Sequence, residues 1–106
     1  MLSKKDNEIL DEFASLVRER FSDARVWAFG SRTKGEATQE SDLDVCVVVK
    51  RLDDSVDRAI MDIAWPVGFE HDIIISTVTY SQQEFETGSC SKSTLVQNVL
   101  SAGVAA

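Results

Sequence analysis

Residues 41–49 read SDLDVCVVV, and the interpretation of this stretch decides the fold. Leu43 to Val49 is rich in β-branched residues and almost wholly apolar, the composition of a central strand buried on both faces. Asp42 and Asp44 stand at its opening. Side chains two apart on a strand point to the same side, so the two carboxylates lie together, about 6.5 Å apart along the chain. Their repulsion is unfavourable unless a cation sits between them. A single aspartate before a strand commonly serves as a turn residue or as a charge that discourages edge pairing. A turn needs one such residue, whereas this strand has two on one face.

Upstream, Arg25 to Phe29 (RVWAF) is a short apolar run broken by Gly30-Ser31, a buried strand ending in a tight turn. Glycine lets a ligand approach the backbone closely. A helical turn beginning at Ser31 would offer amide groups and a hydroxyl to a phosphate. Arg32 and Lys34 follow as candidates for phosphate contacts, with a salt bridge to Glu36 or Glu40 as the alternative reading. Alone, Gly-Ser is a weak signal, since Gly88-Ser89 repeats it in a polar loop. Further upstream, residues 3–21 read as a helix. Ser3 with Asp6 resembles a capping box, and Ile9, Leu10, Phe13, Leu16, Val17 and Phe21 share one face.

Downstream, a second helix is expected from Asp53 to about Ala64, with Val56, Ala59, Ile60, Ile63 and Ala64 inward and Pro66 marking its end. His71 to Val78 (HDIIISTV) reads as a third strand opened by Asp72. If the second and third strands are neighbours, three carboxylates converge. The tail holds a turn led by Ser81, the loop TGSCSKS, and a last helix over 93–102 stopped by Gly103. Leu95, Val96, Val99 and Leu100 give that helix an apolar stripe, which either packs on the sheet or receives a partner. The order α-β-turn-β-α-β-α indicates an α/β sandwich with a small sheet.

Composition narrows the function. The chain has 106 residues, 18 acidic against 11 basic, and a net charge of -7. That length suits one domain, 1–106, with one core. The acidic balance argues against direct nucleic-acid binding, which depends on Lys and Arg neutralising phosphates. No run approaches the roughly 18 apolar residues of a membrane span, and the N-terminus lacks the apolar region of a secretory signal. Cys46 reads as a buried small hydrophobe and Cys90 as an exposed thiol. No disulfide is expected, which places the chain in the cytoplasm. With His71 the lone histidine, a His/Cys zinc site would be short of ligands. Trp27 and Trp65 read as core, and Tyr80 as packing.

Gly30-Ser31, ten residues, then Asp42-x-Asp44 resembles the G-S-x10-D-x-D signature of the minimal nucleotidyltransferases, in the DNA polymerase β superfamily. The four residues would meet by chance in about one such chain in a thousand. Gly35 also matches the family's usual pattern. The resemblance covers almost the whole chain and implies a small mixed sheet flanked by helices. It implies that Asp42 and Asp44 bridge two Mg2+ ions, and that Asp72 completes one metal site and helps deprotonate the incoming hydroxyl. Gly30 and Ser31 would hold the β- and γ-phosphates of ATP or another NTP, with Arg32 and Lys34 beside them. An acceptor hydroxyl would attack the α-phosphorus and pyrophosphate would leave. With no room for extra domains, the chain is similar to stand-alone members encoded beside a helical HEPN protein, an RNase toxin. The resemblance then implies an antitoxin that moves AMP onto a tyrosine of that partner; an acidic surface suits docking to a basic one. The alternatives are a non-catalytic nucleotide-binding regulatory subunit, a small-molecule enzyme of the aminoglycoside-modifying kind, a polymerase or tRNA-end enzyme, and an inert α/β domain with a chance motif. The oligomeric state is left open.

Overall fold

The computed structural model describes residues 2–34 and 42–106. Four strands form one mixed sheet in the order β3-β2-β1-β4: β1 is Arg25–Phe29, β2 Leu43–Val49, β3 Ile75–Ser81 and β4 Val104–Ala105. β2 runs antiparallel to β1 and parallel to β3. Parallel neighbours need a crossover, supplied here by the helix α2, Asp54–Glu70.

α2 and the first helix, α1 (Lys4–Arg20), cover one face of the sheet. The short α3 (Gln82–Glu86) and the last helix, α4 (Thr94–Ala102), cover part of the other. Side-chain alternation along β2 divides it between the two cores. Leu43, Val45, Val47 and Val49 join Phe13 and Ile60 on the α1/α2 side, while Cys46 and Val48 join Phe85, Val96 and Val99 opposite. Two-sided burial is why the strand reads as an unbroken apolar run. Burial also pushes the Cys46 thiol up to about 12, outweighing the opposing pull of Arg25. Both cysteines are free. Among the described residues, no helix is long and apolar enough to cross a membrane.

Local signals explain most of the elements. Ser3 caps α1 by accepting from the Asp6 amide, and Asp53 caps α2 by accepting from Val56. Ser81 and Glu84 form a complete capping box that turns the Ser81-led segment into α3, burying Phe85. Phe85 stacks on Trp27 and tilts against Tyr80. Val96 and Val99 pack inward, so the stripe of α4 serves largely as core, with Leu100 left exposed.

Two boundaries differ from expectation. α2 passes through Pro66 and ends at Glu70. A proline inside a helix costs a hydrogen bond to the carbonyl four residues earlier. Pro66 lies on the exposed side, and the following turn buries Val67 and Gly68 against the sheet. β3 begins at Ile75, four residues later than expected, because the chain first closes the helix. Asp72 takes φ 56, its amide donates to Phe69 O, and the Ile73 amide donates to Gly68 O. These are the paired bonds of a Schellman cap, with Asp72 at the left-handed position usually held by glycine. Trp65, expected in the core, is 69% exposed.

Candidate active site

The end of β1 and the start of β2 are neighbours, Phe29 pairing with Asp44. Asp44 shares the strand parity of Cys46 and Val48, so it points to the α3/α4 side of the sheet. Gly30 follows Phe29 with φ 84, and a Cβ added there would run into the Asp44 carboxylate. Only glycine lets the turn pass so close. The chain then coils as expected from Ser31: the Thr33 amide and hydroxyl donate to Gly30 O at 3.1 and 2.7 Å, and the Lys34 amide donates to Ser31 O at 3.2 Å. Ser31 is half-buried beside the carboxylate strand.

Arg32 has a partner that the sequence reading did not name. Its guanidinium donates to both Asp6 oxygens, at 3.0 and 3.2 Å, and both side chains are nearly enclosed. Glu36 and Glu40, the partners that the sequence suggests, lie outside the described residues, as do Gly35 and Ser41. Removing one member of so enclosed a pair leaves the other charge uncompensated. The pair therefore ties the Gly30–Lys34 turn to the first turn of α1. Lys34 is exposed and borders a hollow of about 340 Å³ shared with Phe29, Gly30, Leu95 and Asn98.

The electrostatics single out Asp44. Burial raises its carboxyl above the ordinary value of 3.8, and the charge of Asp42, exposed at the rim, raises it further. The two carboxylates, with no side chain on the adjoining Gly30, form an all-oxygen donor set. Such a set fits Mg2+, commonly held by one or two carboxylates together with substrate phosphates.

Asp72 sits elsewhere. In the β2–β3 register the residue beside Asp44 is Ser76, four positions after Asp72. Asp72 borders a cleft of about 990 Å³, together with Asp6, Arg32 and residues at the end of α2. Among the described residues, the trio of ligand-type side chains within 4.8 Å of one another is Glu12, Glu70 and His71. The expected convergence of three carboxylates is therefore replaced by the Asp42/Asp44 pair. In its cap position, Asp72 also faces the negative end of the α2 dipole, an unfavourable place for a carboxylate. Asp72→Gly should therefore stabilise the fold by about 0.5 kcal/mol, less strain being offset by the looser unfolded chain. Thermal melting should show a rise of about 2–4 °C, and a fall would mean that Asp72 makes a contact worth more than its strain.

Asp6 left only a weak trace in the sequence, an acid in the first turn of a helix, because its partner is 26 residues away. Ser76 carried no signal of its own.

Comparison with known proteins identifies the family. Residues 10–98 match the nucleotidyltransferase domain family. A candidate protein adenylyltransferase of Methanocaldococcus jannaschii is 33% identical over 78 residues, 71% of this chain and 79% of that protein. Among solved structures, a mutant form of the toxin-antitoxin pair MntA-HepT matches with a TM-score of 0.61 at 20% identity, over 94% of this chain and 70% of that one. A toxin-antitoxin crystal structure with AMP-PNP matches with a TM-score of 0.62 at 20% identity, over 90% and 69%. At such identity the structural likeness speaks for the fold. With a match over most of its length and the Gly30 turn set against Asp44, the chain belongs to the nucleotidyltransferase domain family and is a nucleotidyltransferase.

Proposed function

We propose that the chain moves AMP from ATP onto a hydroxyl of a protein partner, acting as the antitoxin of a HEPN-type RNase toxin. One observation carries the transfer chemistry: the half-buried Asp44, already hindered in ionising, abuts the Gly30 turn. A carboxylate pair and a phosphate seat thus share one spot. The choice of adenylate and of a protein acceptor is supported by the name of the M. jannaschii relative. The toxin-antitoxin setting is supported by the solved structures of similar fold.

In this reading Asp42 and Asp44 hold Mg2+, which when bound neutralises charge on the triphosphate and the leaving pyrophosphate. Gly30 lets the β- and γ-phosphates approach the backbone, and the Ser31 hydroxyl can donate to a phosphate oxygen. Arg32, held by Asp6, keeps the turn in place, while Lys34 adds positive charge at its open side. The acceptor oxygen bonds to the α-phosphorus, the bond to the β-phosphate oxygen breaks, and the acceptor proton passes to water. As in other phosphoryl transfers, the protein works mainly by positioning and charge stabilisation. Asp72, held as the cap of α2, is left out of the metal-holding set.

Incubation with α-32P-ATP, Mg2+ and a HEPN-type protein, the product of the adjacent reading frame being the first to try, should place label and one or more AMP masses on that protein. An unlabelled partner that still co-purifies would overturn the transfer reading in favour of a regulatory subunit.

A further inference from the structure

The α1/α2 side of the molecule carries an apolar surface that the transfer site does not use. Met61, Trp65 and Phe69 follow one another at four-residue spacing along α2 and are 44%, 69% and 88% exposed. Residues so spaced share one helix face. Ile74, 60% exposed, continues the surface beyond the cap. Trp65, Phe69 and Ile74 line the cleft of about 990 Å³, whose opposite wall is the first turn of α1. A run of large apolar side chains facing solvent is unusual away from interaction sites, and exposed tryptophan is typical of residues that dominate binding energy.

The charge around the surface indicates what covers it. Asp62, Glu70 and Asp72 are exposed around the apolar residues, and Asp53 and Asp54 continue the acidic series at the other end of α2. Against these five acids, Lys4 and Lys5 on the first turn of α1 and Arg58 on α2 are the exposed bases, Lys5 lining the cleft, and the cleft's Arg32 is already paired with Asp6. Apolar anchors within an acidic rim complement an amphipathic helix whose apolar stripe is flanked by Lys and Arg. The position also suits transfer. Ile74 O accepts from the Leu43 amide, so the groove lies one strand away from the Asp42–Asp44 segment, at the same end of the sheet although on the opposite face from the Asp44 side chain.

We propose that this groove, between the first turn of α1 and the last turns of α2, docks a basic amphipathic helix of the acceptor protein. This rests on the protein-acceptor reading above, and holds that protein at the end of the sheet where the carboxylates lie. A fluorescein-labelled 18-residue Leu/Lys amphipathic peptide serves as probe, with a Leu/Glu peptide of the same pattern as control, read by anisotropy without nucleotide. The Lys peptide should bind at least about ten-fold tighter than the Glu peptide. Trp65→Ser and Phe69→Ser should each weaken it about ten-fold with melting temperatures unchanged, since both side chains are exposed. Equal binding of the two peptides, or full binding by both variants, would overturn the proposal. So would a dimer of this chain in sedimentation that Phe69→Ser dissolves, which would assign the groove to a second copy. The Asp42→Asn/Asp44→Asn variant should bind the Lys peptide normally. If label transfer fails while peptide binding persists, the reaction is refuted and the docking surface stands.

Discussion

Replacing Asp42 and Asp44 together by asparagine will lower nucleotidyl transfer by about a thousand-fold or more, while the metal-free protein melts at the same temperature or higher. The loss follows from removing the oxygen donors that hold Mg2+ and with it the charge compensation of the triphosphate. The thermal behaviour follows from the raised Asp44 carboxyl. Below 3.8, its ordinary value, the side chain is protonated in both the folded and the unfolded chain, and it has no influence on stability. As pH rises the unfolded chain releases its proton first, so folding is disfavoured progressively until the folded carboxyl has ionised too. The penalty is complete once the folded carboxyl has ionised, and asparagine removes it. Mg2+ with ATP should raise the melting temperature of the wild type by mass action and leave the double variant unmoved. Label transfer by the double variant at the wild-type rate would show that the carboxylate pair has been misassigned.

The second large effect is expected at Gly30. Gly30→Ala places a methyl group where the Asp44 carboxylate lies, on a backbone with φ 84. The left-handed backbone alone costs an alanine about 1–2 kcal/mol. The collision must then be relieved by moving Asp44, the Gly30 turn, or both. A melting temperature lower by about 4–16 °C is expected, together with transfer reduced by about a hundred-fold. Activity should fall further than stability explains, because either movement separates the phosphate seat from the carboxylates. A variant that keeps full activity at temperatures where it remains folded would mean that the close approach of Gly30 and Asp44 has no part in transfer.

The legible parts of this fold were those encoded locally. Ser3 and the spacing of Ile9, Leu10, Phe13 and Val17 define α1, and the unbroken run from Leu43 defines a strand packed on both sides. Gly30 and Asp44 were legible as parts of one site through the resemblance of Gly30-Ser31 and Asp42-x-Asp44 to a family signature. The errors arose where tertiary packing overrode a local rule. Pro66 is a helix stop by propensity, yet burial of the turn after it carries α2 onward. The string HDIII looks extended throughout, although Asp72 is committed to closing the helix and extension starts at Ile75. That displacement moved the third carboxylate away from the pair. Trp65 looks like core because apolar residues usually are, but that rule runs one way and large side chains also face solvent. The two-residue β4 has too few side chains to leave a pattern.

β2 belongs to two of the sheet's three hydrogen-bonded ladders and to both cores, and this has a kinetic consequence. No partial opening can free the segment from Leu43 to Val49 without breaking two strand pairings and exposing two apolar layers at once. It is therefore among the last parts of the chain to open, and opens essentially when the whole molecule does. The carboxylates ride at the end of this slowest-opening segment. Loosening a remote helix, on either side of the sheet, would shorten the lifetime of the catalytic arrangement without touching a single residue in it.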